Sequence, residues 1–333
     1  MMTMRRHMWW SLGLVLLGLI GLVSMSVGAM GSSLSAALVA LMDPENSLHP
    51  VLMHVRLPRI LGGLVIGAGL GVAGAAMQAI FRNSLADPGL VGVSSGAALG
   101  AVLAIIVLPG LLHPATLSTL AAFGGLLATW AVWGAAHVRG ASDSATLVLA
   151  GVAINAFAGA AIGLLTFVSN EAQLRNLTVW MLGSLAGLTW AQLALLIPVT
   201  LVCAFGIWWH SRLIDAYVLG DEESATLGIN VRDLRRRVIA LSAVLVAVGV
   251  SFTGIIGFVG LVVPHLVRIL SGPRHSGLLI GSAIMGAGLL MLSDLFSRSV
   301  AVPMELPIGV VTSAIGAPFF LYLLRRRLHG AWA

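Results

Sequence analysis

All 18 basic residues of this chain are arginine, and it contains no lysine. Arginine keeps its charge and presents a rigid fork of donors to carboxylates and phosphates, whereas a Walker A loop and a Schiff base both require lysine. If ATP drives this protein, another chain must bind it. Arg56 and Arg59 are three apart, hence on one face of a helix. Asp294 and Arg298 are four apart and spaced to form an ion pair. Glu305, just before Pro307, braces a loop, and His265 after Pro264 reads as a structural helix-end residue. Acids cluster in Leu219-Gly220-Asp221-Glu222-Glu223-Ser224-Ala225-Thr226-Leu227-Gly228. Three acids in a first turn suit the helix dipole and Gly228 suits a C-terminal cap, so this stretch predicts a short helix, with Asn230 capping the next. The lone Cys203 lies in an apolar run and has no disulfide partner within the chain. No catalytic residue and no metal site is expected.

The elements that carry these residues are membrane helices. The chain of 333 residues is 59% hydrophobic and 9% charged, with a mean hydropathy of +1.02. A soluble domain carries about 25% charged residues, so a soluble enzyme, a nucleic-acid binder and a secreted scaffold are excluded. The pI near 11.1 reflects arginine gathered in cytoplasmic loops rather than a nucleic-acid partner. At roughly 20 residues per crossing, ten apolar stretches stand out: 9–28, 59–80, 91–109, 116–136, 145–167, 190–209, 237–254, 255–270, 277–296 and 307–324. The first reads as a retained signal anchor. The whole of 1–333 reads as one all-α transmembrane domain with a cytoplasmic segment at 210–236. Placing the N-terminus inside leaves only Arg56, Arg59, Arg175 and Arg298 outside, against the other 14 of 18 inside, so both termini are expected in the cytoplasm.

The outer segment 31–58 carries a turn at Asp43-Pro44-Glu45-Asn46, and the outer segment 169–189 predicts a broken helix. Residues 56–74 and 237–254 run alike from arginine through an apolar stretch to glycine but enter from opposite sides, the pattern of an inverted repeat. Gly63/Gly67/Gly71, Gly96/Gly100, Gly159/Gly163 and Gly277/Gly281 recur at four-residue spacing and predict close helix packing.

Several longer motifs resemble one family. They are Arg56-Leu57-Pro58-Arg59, Gly67-Ala68-Gly69-Leu70 with Gly74 and Gln78, and Arg82-Asn83-Ser84-Leu85-Ala86-Asp87-Pro88. Further on come Gly254-Ile255-Ile256-Gly257-Phe258-Val259-Gly260-Leu261-Val262-Val263-Pro264-His265, then Glu305-Leu306-Pro307-Ile308-Gly309 and Gly316-Ala317-Pro318-Phe319-Phe320. Together they are similar to the FecCD-type permeases of iron-chelate, haem and cobalamin uptake, in order and over nearly the whole chain. Ser84 departs from the family, which usually has proline there.

The resemblance implies the fold of a type II ABC importer permease. Two copies, a homodimer, would enclose a pathway in the bacterial inner membrane. Two separate ATPase subunits carrying ATP and Mg would sit below, and a periplasmic binding protein would deliver substrate. This chain would hold no cofactor and be no enzyme; membrane lipid is its other partner. Leu219, Gly220, Asp221, Glu222, Glu223, Ala225, Leu227 and Gly228 match the family's ATPase-coupling helix; the plainer account is a solvated loop. Arg56, Arg59 and Arg298 match positions that receive acids of the binding protein, where charge pairs fix orientation and raise on-rate; interfacial snorkelling is the alternative. Asn83, Ser84 and Leu85 with Ser142, Asp143 and Ser144 would close the cytoplasmic exit. Asn155 and Thr166 would line the pathway, unless Asn155 is a satisfied residue between helices. Arg175 would meet either anionic substrate groups or lipid headgroups. The stretch Leu174-Arg175-Asn176-Leu177-Thr178 with Trp180, Gly183, Ser184 and Leu185 is most similar to the haem-importing branch. Haem is therefore the expected cargo, with ferric siderophore and cobalamin as alternatives. A secondary transporter driven by an ion gradient is the alternative of another class, although no acid lies near the middle of a span.

Overall fold

The computed structural model describes residues 2–28, 33–111, 113–136 and 144–328. Among them the helices are α1 (Met2–Ser26), α2 (Leu34–Met42), α3 (His49–Ile80), α4 (Val93–Val107), α5 (Pro114–Ala136), α6 (Ser144–Phe167) and α7 (Glu171–Leu182). They continue with α8 (Trp190–Trp209), α9 (Ser211–Tyr217), α10 (Asp221–Thr226), α11 (Val231–Thr253), α12 (Val259–Ser271), α13 (His275–Ser297) and α14 (Ile308–Leu328). Seven are long and apolar enough to cross a membrane, and α4, α12 and α14 contribute shorter apolar stretches. These occupy the places of the ten expected spans.

Three boundaries differ from expectation, each for a local reason. Helix α3 begins ten residues before the expected start at 59, because Leu52–Arg56 adopts a π-helical turn in which the Leu57 N–H reaches back to the Leu52 carbonyl. A widened turn just ahead of Pro58 accommodates a residue that has no N–H and crowds the carbonyl four residues back. In the outer segment, α2 forms before the Asp43–Asn46 turn, capped by Ser33, whose side chain accepts from the Ala36 N–H. Between α11 and α12 the chain leaves the helix at Gly254 and re-enters only after Phe258, so α12 has 13 residues and spans about 20 Å. It is a half-length helix within the bundle, and its irregular lead-in is packed inside the protein, with Gly183 and Gly309 close against the Ile255 carbonyl. The Ser184 N–H donates to the Thr253 carbonyl at 2.7 Å and the Ile308 N–H to the Gly183 carbonyl at 3.1 Å. Non-helical backbone persists at membrane depth only where protein shields it from lipid or it lines a cavity.

Helix α3 is the axis of the bundle, with 83% of its apolar window buried. Small residues let it sit against its neighbours' backbones. A Cβ on Gly71 would stand 2.1 Å from the Ser282 carbonyl of α13, and one on Gly74 would stand 1.9 Å from the Gly260 carbonyl of α12. By contrast, a Cβ on Gly159 or Gly163 would meet nothing within 4 Å, so that pair mediates no close approach within the chain. The packing itself repeats: α3 lies on α13, α12 and α11, while α11 lies on α5, α4 and α3. The contacts of α3–α6 and α11–α14 thus mirror one another. Leu14, Phe123, Phe157 and Val202 on α1, α5, α6 and α8 face outward, as lipid-facing spans do.

Candidate functional site

The expected short helix forms as α10. Asp221, Glu222 and Glu223 fill its first turn. It closes with Gly228 at φ 79°, whose N–H donates to the Ala225 carbonyl while the Ile229 N–H donates to Ser224. Ser224 is fully buried and bonds back to the Ala216 carbonyl at 3.2 Å, which fixes the helix against α9. Leu219 and Leu227 stand 67% and 63% exposed on either side of the acids. They leave apolar surface on both flanks of the charged turn. The Asn230 side chain accepts from the Asp233 N–H at 3.1 Å and so begins α11, as expected.

What holds α10 to the bundle is Tyr217, which is fully buried and is one of two tyrosines in the chain. Its hydroxyl donates to the Ile80 carbonyl at 2.9 Å and accepts from Arg235 Nε and Nη2 at 3.2 and 2.8 Å. The Arg82 guanidinium lies 4.3 Å from the ring centroid and donates to the Tyr217 carbonyl. Both arginines converge on Asp221, Arg82 at 2.6 Å and Arg235 at 3.1 Å. One acid of α10 is thereby tied to the end of α3 and the start of α11. Arg82 itself sits at φ 47°, a left-handed conformation that favours glycine. It completes the helix end, with Arg82 N–H to the Ala79 carbonyl and Asn83 N–H to the Gln78 carbonyl. Arginine in a glycine's place costs about 1 kcal/mol, and the clamp on Asp221 explains why the strain is tolerated. Sequence reasoning missed Tyr217, Arg82 and Arg235 as a unit; an isolated tyrosine in a polar insertion flanked by arginines was the one available signal.

The turn that follows Arg82 carries the expected exit residues. The Asn83 side chain accepts from the Leu85 N–H at 3.0 Å, and Ser84 and Leu85 are half-buried. Asp87 accepts from the Gly89 N–H at 2.8 Å, and burial pushes its carboxyl above the ordinary range, opposed by that bond. Ser144 donates to the Ile80 carbonyl at 3.3 Å, so the start of α6 touches the same end of α3; Ser142 and Asp143 lie outside the described residues. Asn155 is engaged between helices, accepting from Ser95 and donating to the Gly89 carbonyl at 3.3 Å. Thr166 bonds back to Ile162 in its own helix at 2.7 Å. Arg175 is exposed on α7.

At the opposite end, Arg56, Arg59 and Arg298 are 5%, 6% and 5% exposed: an interior cluster in this chain instead of a displayed patch. Arg59 Nε meets Asp294 at 2.8 Å and Arg59 Nη1 meets Glu305 at 2.9 Å. The expected Asp294–Arg298 pair is present but longer, at 3.5 Å. Arg298 spends its other donors on the Val27 and Ser24 carbonyls at 2.6 and 2.8 Å, and Arg56 donates to Met25. Two guanidiniums therefore cap the C-terminal end of α1, where the helix dipole is negative.

Comparison with known proteins agrees with this architecture. The family model of the FecCD transport family matches residues 14–326. The chain is 42% identical to the hemin transport system permease protein HmuU of Yersinia pestis over 94% of each chain. It is also 42% identical to the cobalamin import system permease protein BtuC of Halobacterium salinarum, over 85% of this chain and 75% of that one. A solved structure described as the inward-facing conformation of a metal-chelate type ABC transporter superposes with a TM-score of 0.85 at 33% identity, covering 95% of this chain and 98% of the other. From the motifs, the half-length α12 and these matches alike, the chain belongs to the FecCD transport family.

Proposed function

We propose that this chain is the membrane subunit of an ATP-driven importer that carries haem from the periplasm to the cytoplasm by alternating access. The observation that carries the cargo is the full-length likeness to a hemin permease, 94% of both chains at 42% identity. Cobalamin is the second reading, favoured by an equal identity over a smaller share of both chains. With no lysine for a Walker A loop, ATP and Mg belong to two partner ATPases that grip Leu219, Ala225 and Leu227 at the α10 end. That end faces the cytoplasm of a bacterial inner membrane, with both termini on the same side. Two copies of the chain flank the pathway as a homodimer.

The mechanism follows from the Tyr217 cluster. When the ATPases close, they push α10; Asp221 transmits the push to Arg82 and Arg235, and Arg82 carries it to Asn83, Ser84 and Leu85 at the exit. Ser144, bonded to the same carbonyl as Tyr217, couples α6 to that movement. At the periplasmic end, three guanidiniums against two carboxylates leave one positive charge for an acidic binding protein. Glu305, with 42% of its side chain exposed, is the most exposed member of the cluster. A host lacking its own haem permease tests the cargo, when supplied with this chain, its ATPase and its binding protein. Growth on haemin as sole iron source supports the reading; rescue of cobalamin-dependent growth alone replaces it with the second.

A further inference from the structure

At the α9–α10 end, a cleft of about 650 Å³ opens between the end of α3, the end of α9, the end of α12 and the start of α13. Its charge is one-sided. Arg82, Arg268 and Arg274 line it, and the one carboxylate on its wall is Asp215. Asp215 is already engaged by His275, accepting from the backbone N–H at 2.9 Å and facing Nδ1 at 2.7 Å. Arg82 is held by Asp221. Arg268 is half-buried, and its partner is the neutral Gln78 side chain at 3.1 Å. Neither Arg268 nor Arg274 has an ion-pair partner among the described residues. A partly desolvated guanidinium without a counter-charge is unfavourable, and its fork of donors matches the oxygens of a phosphate or a carboxylate.

The surroundings point to the source of that phosphate. The turn at 272–274 separates the cleft from an apolar groove of about 370 Å³ between α1, α12 and α13, walled by Trp9, Leu16, Leu270 and Met285. Trp208 of α8 donates its indole N–H to the Ser276 carbonyl at 3.3 Å, just beyond the cleft, and Trp209 beside it is 70% exposed. Tryptophans gather at headgroup level, so an anion-seeking cleft and an apolar groove flank one turn at the level where phospholipids change from polar to apolar. Basic pockets between membrane helices on a cytoplasmic face are suited to anionic headgroups.

We propose that this cleft binds the phosphate of an anionic phospholipid, with Arg268 and Arg274 as its ligands and an acyl chain in the groove beneath α1. The inference rests on the cytoplasmic orientation given above. Since Arg82 lines the cleft and also holds Asp221, the bound lipid would stiffen the connection between α10 and α3.

The test uses the full chain, delipidated in neutral detergent and followed by native mass spectrometry and thermal unfolding. Phosphatidylglycerol is titrated against phosphatidylcholine and inorganic phosphate. Phosphatidylglycerol should be retained and raise the unfolding temperature, while the other two do neither. The R268Q/R274Q variant should bind it about tenfold more weakly or worse, and R274Q, an exposed position, provides a milder loss if the double variant folds poorly. Equal retention of phosphatidylcholine, or undiminished retention by both variants, overturns the site. A stabilisation by inorganic phosphate equal to that by the lipid overturns the lipid source. Protection of Arg274 that depends on the ATPase and not on lipid overturns it in favour of an acidic protein segment. Failure of haem uptake would sink the transport reading without changing the lipid count.

Discussion

Replacing Tyr217 with phenylalanine removes one oxygen from the centre of the Arg82–Asp221–Arg235 cluster and leaves the ring. The packing and the Arg82 contact at 4.3 Å persist, because the ring face supplies them. What is lost is the link from the Ile80 carbonyl at 2.9 Å to the Arg235 guanidinium at 2.8 Å, in a site with no solvent exposure. Hydrogen bonds to a charged group contribute about 1.5–3 kcal/mol. The lower part of that range applies, since Arg235 keeps Asp221 at 3.1 Å and Ile80 keeps Ser144 at 3.3 Å. A loss of about 2 kcal/mol corresponds to about a thirtyfold change in an equilibrium, the upper bound on how far the tightly coupled arrangement is depopulated. Asp221→Asn should be milder, about 1 kcal/mol, because the Asp221 side chain is 46% exposed and screened. The assay reconstitutes the permease with its ATPase and measures ATP hydrolysis and uptake together. Tyr217→Phe should keep the ATPase bound and hydrolysing while uptake per ATP falls about tenfold or more. Unchanged uptake per ATP, or loss of uptake only in step with ATPase release, would refute the reasoning.

Other consequences are equally open to measurement. Arg82→Gly relieves the left-handed strain at φ 47°, so thermal stability should stay within about 1 kcal/mol of wild type while coupled uptake drops; a large stability loss would contradict the assignment. Leu219→Ser with Leu227→Ser should abolish ATPase co-purification with no shift in unfolding temperature, as both side chains are exposed. Asp294→Asn leaves Arg59 with Glu305 alone and takes from Arg298 its one ion-pair partner among the described residues, and should destabilise the chain by about 3–5 kcal/mol, with Arg59→Met in the same chain restoring part of the loss in a double-mutant cycle. Gly74→Val places a side chain against the Gly260 carbonyl, where neither backbone can yield, and should eliminate folded protein from the membrane.

The sequence was legible wherever the cause is local. The acids of α10, the cap at Gly228 and the Asn230 start of α11 each act within one helical turn, and all were readable from residue order. Arg82 was not, because its partner Tyr217 lies 135 residues away and periodicity carries no sign of the pairing. The same distance hid the fate of Arg59. Charge counting places it outside, and so it reads as displayed, but Asp294 and Glu305 lie 235 and 246 residues along the chain and draw it inward. The start of α3 was obscured by Pro50 and Pro58, which usually end helices, whereas a π turn absorbs the second here. The break before α12 was masked because Gly254–Phe258 is as apolar as the helices beside it. Its backbone packs against the ends of α7 and α14, elements that residue order alone does not bring together.

The central claim is that this chain moves haem when a separate ATPase pushes on α10. Proteoliposomes holding the permease with its ATPase, with ATP inside and haem-loaded binding protein outside, test it most directly. Haem should accumulate only when both ATP and the binding protein are present, and a chain lacking residues 221–228 should show none. Accumulation driven by an ion gradient without ATP would contradict the account.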